Sequence, residues 1–289
     1  MDVVRSIFQP RFRTGLLTAA ALGLTASLFW ILPGCSTTPV TQRRQLVLMS
    51  PEKENAMGLA AYQQVLEDEP VTKNETIAEL VQRVGDRIAA VADRPDFDWE
   101  FKVIESETQN AFCLPGGKVA VYTGMLPVCE SEAGLAVVMS HEIGHAIARH
   151  GGERMSLKTV QTAAQHAVQY VMREQKDDTQ KIVLAAYGAG SQYGAILPYS
   201  RKHELEADEI GLMLMAKAGY DPSEAPRFWE RFAGLKDGGA PLEFLSTHPS
   251  DARRSAALRE KLPEAIDLYQ DAPEKIGMGE LLAEKIKAP

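Results

Sequence analysis

The chain has 289 residues, 45% of them hydrophobic and 24% charged, which is enough for one substantial core and excludes a disordered chain. The net charge of -8 comes with no long basic run, so a nucleic-acid partner is not expected. An acidic surface favours solubility and says little about substrate.

Arg5, Arg11 and Arg13 precede an apolar run from Gly15 to Leu32, followed by Leu32-Pro33-Gly34-Cys35-Ser36. A basic start, an apolar stretch and a small residue before the cut predict a secretory signal peptide over residues 1–34. Leu-x-Gly-Cys resembles the bacterial lipobox, in which the cysteine is lipidated and becomes the first residue of the mature chain. Cys35 is then the lipidation site, and residues 35–50 are a lipid-anchored tether that becomes ordered near Leu46. The alternative is an uncleaved anchor, because the apolar run nearly spans a bilayer. Ser36 in place of Asp resembles outer-membrane sorting. The expected location is therefore the periplasm of a Gram-negative bacterium, lipid-anchored, at the outer membrane. An oxidising compartment would permit a disulfide between Cys113 and Cys129, which otherwise are two small buried hydrophobes.

Ser50-Pro51-Glu52 starts a helix running to about Glu67. Ile77, Leu80, Val81, Val84 and Ile88 predict an amphipathic helix from Asn74 to Val91. Trp99, Phe101, Val103 and Ile104 then suggest a strand. Residues 110–122 read as two short strands about a Pro115-Gly116-Gly117 turn, the one convincing β region. The next helix runs from Ser131 to His150 and stops at Gly151-Gly152. Helices are expected at 153–174 and 200–217, and others beginning near Asp221 and Ser246. Residues 181–198 are a closely packed helix or a mobile cover, 234–240 a flexible break, and 271–289 a C-terminal surface helix or tail. The fold class is α+β, mainly helical, with a short hairpin or small sheet beside the 131–150 helix.

That helix carries His141-Glu142-Ile143-Gly144-His145. Histidines four apart sit one above the other on a helix and can grip one metal ion, while Glu142 borders the metal as a general base. Catalytic zinc usually has three protein ligands and an open place for water, so a third ligand is needed. Glu204-Leu205-Glu206-Ala207-Asp208 offers Glu204, with Asp208 on the same face to accept the free N–H of a ligating histidine; Glu206 lies on roughly the opposite side. His150, His166 and His203 have no partner at ligand spacing and are taken as surface or packing residues. Phe228, Trp229 and Phe232 are taken as core.

His141-Glu-Ile-Gly-His145 followed by Ser200-Arg201-Lys-His-Glu204-Leu-Glu-Ala207-Asp208 resembles the Oma1/HtpX/CAAX-prenyl-protease superfamily of zinc metallopeptidases. Asn110-Ala-Phe, Pro115-Gly-Gly and Thr247-His248-Pro249 with Arg254 match further blocks. The lipobox points to its periplasmic lipoprotein (BepA/LoiP-like) branch, though this chain has no room for a long TPR array. The resemblance implies a zincin-like peptidase domain over residues 51–270 holding one Zn2+ per chain. His141, His145 and Glu204 would be its ligands, Glu142 the catalytic base, and Asp208 a support. His248 and Arg254 would act as a switch ligand or transition-state helper. The edge formed by Asn110, Ala111, Phe112, Gly116 and Gly117 would bind an extended substrate. The implied function is hydrolysis of envelope or misfolded polypeptides, with envelope assembly machinery as a possible partner. The alternative is a lipoprotein with a latent protease and mainly a chaperone-like or assembly-factor role.

Overall fold

The computed structural model describes residues 35–191, 197–234, 244, 248 and 252–285. The expected signal segment and most of the 234–240 break lie outside these residues. Among the described residues no helix is long and apolar enough to cross a membrane.

The chain forms two compact units. The first contains a hairpin of β1 (Cys35–Thr37) and β2 (Arg44–Leu46), most of α4 (His150–Met172) and α5 (Asp177–Ser191). The chain is thus already paired as a hairpin at Cys35–Thr37, upstream of the ordering expected near Leu46. Arg43 reaches Glu153 through two N–H donors, at 3.1 and 2.7 Å, and the Leu48 N–H donates to Ser156 Oγ at 2.9 Å. These contacts hold the hairpin and the chain after it on α4. Of residues 181–198, expected as a closely packed helix or a mobile cover, 181–191 lie in α5, where the Tyr187 hydroxyl donates to the Gln161 carbonyl, and 192–196 lie outside the described residues.

The second unit takes in residues 38–42 and then α1 (Pro51–Asp68) and α2 (Glu75–Val91), capped by the side chains of Ser50 and Asn74. A three-stranded sheet follows, in the order β3 (Glu100–Ile104), β5 (Lys118–Tyr122), β4 (Ala111–Leu114). β3 runs parallel to β5 and β4 antiparallel to it, so β4 is an edge strand. The Tyr122 N–H bonds the Asn110 carbonyl. The antiparallel alternation then turns the backbone polar groups of Ala111 and Cys113 away from β5.

Helix α3 (Glu132–Ile147) is buried along nearly its whole length, which accounts for a run apolar on all sides. It packs against β4, α2 and α7 (Glu224–Gly234). Its first N–H groups are fully satisfied. Ser131 Oγ accepts from Gly134, and the carbonyls of Glu280 and Met278 accept from Glu132 and Ala133. The segment after Ala272 is thus an irregular strap that caps α3, and among its described residues only Leu282–Lys285 are helical. Of the surface helix or tail expected over 271–289, residues 272–281 are not helical. Gly277 and Gly279 sit at φ +65° and +64°, which breaks any helix there.

α3 also ends earlier than expected. Its last helical residue is Ile147, and Arg149 turns into the left-handed region at φ +57°. Gly151 and Gly152 lie within the first turn of α4. The terminator is Arg149, whose Nε donates to buried Glu54 at 2.9 Å.

Later come α6 (Leu197–Lys217) and α8 (Ala252–Asp271). α3 and α6 touch backbone to backbone. A Cβ on Gly144 would lie 2.9 Å from the Ala207 carbonyl oxygen, and one on Gly211 would lie 2.9 Å from His141 N. This close approach sets the two chemical motifs against each other. Cys113 and Cys129 are free thiols, both pushed to higher pKa by burial.

Candidate metal centre

α3 contributes His141, Glu142 and His145, and α6 contributes Glu204 and Asp208. His248 approaches from the segment before α8. One ligand atom from each of His141, His145, Glu204 and His248 lies within 4.8 Å of the others. His141 Nε2 is 3.2 Å from His145 Nε2 and 3.3 Å from His248 Nδ1. Glu204 oxygens lie 3.5 Å from His141 Nε2, 3.5 Å from His145 Nε2 and 3.0 Å from His248 Nδ1. Three imidazoles and a carboxylate, converging in a buried place, suit zinc in number and kind.

The electrostatics also call for a cation. Burial works to lower the pKa of His141, but the hydrogen bonds it donates to Asp208 and Glu204 outweigh it and hold the imidazole up at about 9. Burial works to raise Glu204, yet its histidine neighbours hold the carboxylate well below its usual range. His145 is driven well below the ordinary imidazole value, by burial first and then by His141. It is therefore a neutral ring with a lone pair to offer.

Glu142 stands beside the cluster. Its Oε1 is buried with no hydrogen-bond partner and lies 3.4 Å from His248 Nε2. Burial is the main cause that pushes its carboxyl above the ordinary carboxylate value.

Asp208 lies where the motif spacing places it: its Oδ1 accepts from His141 Nδ1 at 3.0 Å. Arg254, from α8, grips the same carboxylate with Nε and Nη2, both at 2.7 Å. Its guanidinium lies 3.7 Å over the ring of Trp229. Arg254 is thus engaged with Asp208, behind His141. Trp229 is core, as expected, but it also floors this side of the site, with its ring 5.2 Å from that of His141.

Of the expected substrate edge, Ala111 and Phe112 lie on β4, and Asn110 precedes it with Oδ1 accepting from the Ala111 N–H. Gly116 and Gly117 form the following turn at φ +88° and +81°. β4 packs directly on α3, the helix that carries the metal ligands.

His203 is buried and stacked on His150 at 4.1 Å, the packing role expected of it, but His150 also bridges His145 and Glu206, a link the sequence did not suggest. A histidine five places beyond a ligand carries no helical signal, and the kink at Arg149 that turns it back is not visible in local periodicity.

A buried histidine pair and a carboxylate from a second helix, with a further carboxylate beside them and an edge strand alongside, define a zinc metallopeptidase of the His-Glu-x-x-His kind. The model of peptidase family M48 matches residues 76–262, and the chain belongs to that family. It is similar to the mitochondrial metalloendopeptidase OMA1 of Schizosaccharomyces pombe, 39% identical over 231 residues, covering 78% of this chain and 66% of the relative. It is also 29% identical to the Saccharomyces cerevisiae OMA1 over 288 residues, covering 90% and 80%. A putative beta-barrel assembly-enhancing protease of Vibrio cholerae is 31% identical over 214 residues, covering 73% and 44%. The chain spans only 40% of the Arabidopsis thaliana OMA1.

These relatives correct the expected location. The first four are named as mitochondrial enzymes, which points away from a periplasmic, outer-membrane setting, although bacterial assembly-enhancing proteases also match. The physical reason is that a basic, apolar leader is a generic targeting feature. The match to the family rests on the catalytic body, beginning at residue 76.

Proposed function

We propose that the protein is a zinc endopeptidase that cleaves extended segments of misfolded or incompletely assembled polypeptides. The observation that carries this reading is the convergence of His141, His145 and Glu204 beside the unpartnered carboxylate oxygen of Glu142. The names of its relatives, endopeptidases and assembly-enhancing proteases, support the substrate class.

His141, His145 and Glu204 would hold the ion. When bound, zinc polarises a scissile carbonyl and lowers the pKa of coordinated water to about 7. The other roles fall to the chain. Glu142, with its affinity for a proton raised by burial, takes a proton from the attacking water and returns it to the leaving nitrogen. β4 receives the substrate backbone as an added strand through the outward Ala111 carbonyl and the outward N–H and carbonyl of Cys113, the Ala111 N–H being held by Asn110 Oδ1. Asp208 keeps His141 Nδ1 protonated and aimed. Cys35 is the proposed point of lipid attachment to a membrane, supported by the Leu32-Pro33-Gly34-Cys35 sequence.

One zinc per chain is expected by native mass spectrometry. Casein cleavage should be lost with 1,10-phenanthroline and restored by added zinc. Metal-independent cleavage would overturn the reading, and the mass of the amino-terminal peptide reports on Cys35.

His248 supports a second element of the proposal, a resting state in which the site is closed. Its Nδ1 sits among the ligand atoms and its Nε2 faces Glu142, the space that substrate and water need. His248→Ala should raise initial casein cleavage several-fold and weaken zinc binding. Unchanged activity and unchanged zinc affinity together would remove His248 from any such role.

A further inference from the structure

The two histidine ligands are held in different ways. His141 hands its Nδ1–H directly to a carboxylate, Asp208. His145 directs Nε2 into the cluster, so Nδ1 carries its proton, and that Nδ1 lies 2.8 Å from His150 Nδ1. A ring nitrogen that accepts there leaves the proton of His150 on Nε2. His150 Nε2 lies 3.0 Å from Glu206 Oε2. Glu206 Oε1 in turn accepts from the Thr41 hydroxyl. Each proton in this chain has one consistent place.

We infer that His150 is a positioning residue for the metal ligand His145, anchored in its turn by Glu206 and Thr41; this rests on the metal-centre reading above. Three observations carry it. Five residues along one helix are separated by about 140° of rotation, so His150 could not face His145 if α3 continued. The left-handed turn at Arg149 is what brings it back. His150 is locked edge and face, 1% exposed and stacked on His203 with planes 14° apart. Glu206 is a carboxylate only 5% exposed, and a buried charge is costly unless hydrogen-bonded partners hold it. Glu206 was the residue that helical spacing set on the side away from Glu204. Its partner is the second ligand, reached through one imidazole.

The test measures zinc affinity by chelator competition and the visible spectrum of the Co2+-loaded protein. It compares wild type, Glu206→Gln, His150→Phe and the double variant. His150→Phe should lower zinc affinity about 10–100-fold and shift the Co2+ bands. Glu206→Gln should lower it less, and should add nothing in the His150→Phe background. Wild-type affinity and spectrum in the single variants, or an undiminished Glu206→Gln effect in that background, would overturn the relay. A role in packing alone would lower the unfolding midpoint of the metal-free protein and leave the Co2+ spectrum as it was, which also overturns it. Should His150→Phe fail to fold, Glu206→Gln and Thr41→Val, both nearly isosteric, decide the matter by the same two readings. A wild-type protein that binds no zinc would sink the metal-centre reading itself. Zinc binding with unmoved variants would sink only the relay.

Discussion

Glu142→Gln should reduce kcat/KM for casein by about 10²–10⁴-fold, or about 3–5 kcal/mol of transition-state stabilisation, while zinc content stays at that of wild type. The separation of the two readouts follows from the geometry. Glu142 is on α3 between the two ligands but is not one of the four residues whose donor atoms converge. Its buried, unpartnered Oε1 faces the cluster, and burial makes it a better proton acceptor than an exposed carboxylate. The glutamine amide fills the same space and cannot take a proton. His141→Ala, by contrast, should lose the metal and the activity together. Full cleavage by Glu142→Gln would end the proposed mechanism; loss of zinc from it would show that Glu142 helps hold the ion.

What could be read from the sequence here is what depends on local spacing. Histidines at 141 and 145 share a helix face by rotation alone, as do Glu204 and Asp208, and the structure places all four together. The Pro115-Gly116-Gly117 turn needs left-handed backbone, and glycines provide it. Features that depend on distant partners could not be read in that way. Gly151-Gly152 looked like the end of α3, but the chain turns at Arg149 because Glu54, 95 residues upstream, holds its guanidinium. The pairing of β3 with β5, past β4, is set by sheet closure and not by the order of the strands along the chain. The C-terminal acidic stretch looked helical by composition, and its two glycines at 277 and 279 were the available warning. Their strap exists because buried donors at the start of α3 need acceptors. His150 follows from the same cause as the early end of α3: one unforeseen kink both ended a helix and assembled a support for His145.

Arg254→Met should be the most damaging change outside the ligands and Glu142. Arg254 is 2% exposed and holds Asp208 through two N–H donors at 2.7 Å. Burial works to raise the Asp208 pKa, and Arg254 is the chief influence that outweighs it and keeps the carboxyl below its ordinary value. Removing one partner of such a pair leaves a buried charge uncompensated, at a cost of about 3–5 kcal/mol. For a domain of this size that is on the order of 10 °C in unfolding midpoint, measured on the zinc-loaded protein. Arg254→Lys keeps the charge but loses the two-pronged grip, so it should fall between wild type and Met. Arg254→Met combined with Asp208→Leu should recover part of the stability, because both charges are gone. It should not recover zinc affinity, because His141 Nδ1 has then lost its acceptor. That split distinguishes the two jobs of Asp208, pairing with Arg254 and aiming His141. An unfolding midpoint for Arg254→Met equal to that of wild type would show that the pair does not support the site, and a double variant with wild-type zinc affinity would show that Asp208 does not aim the ligand.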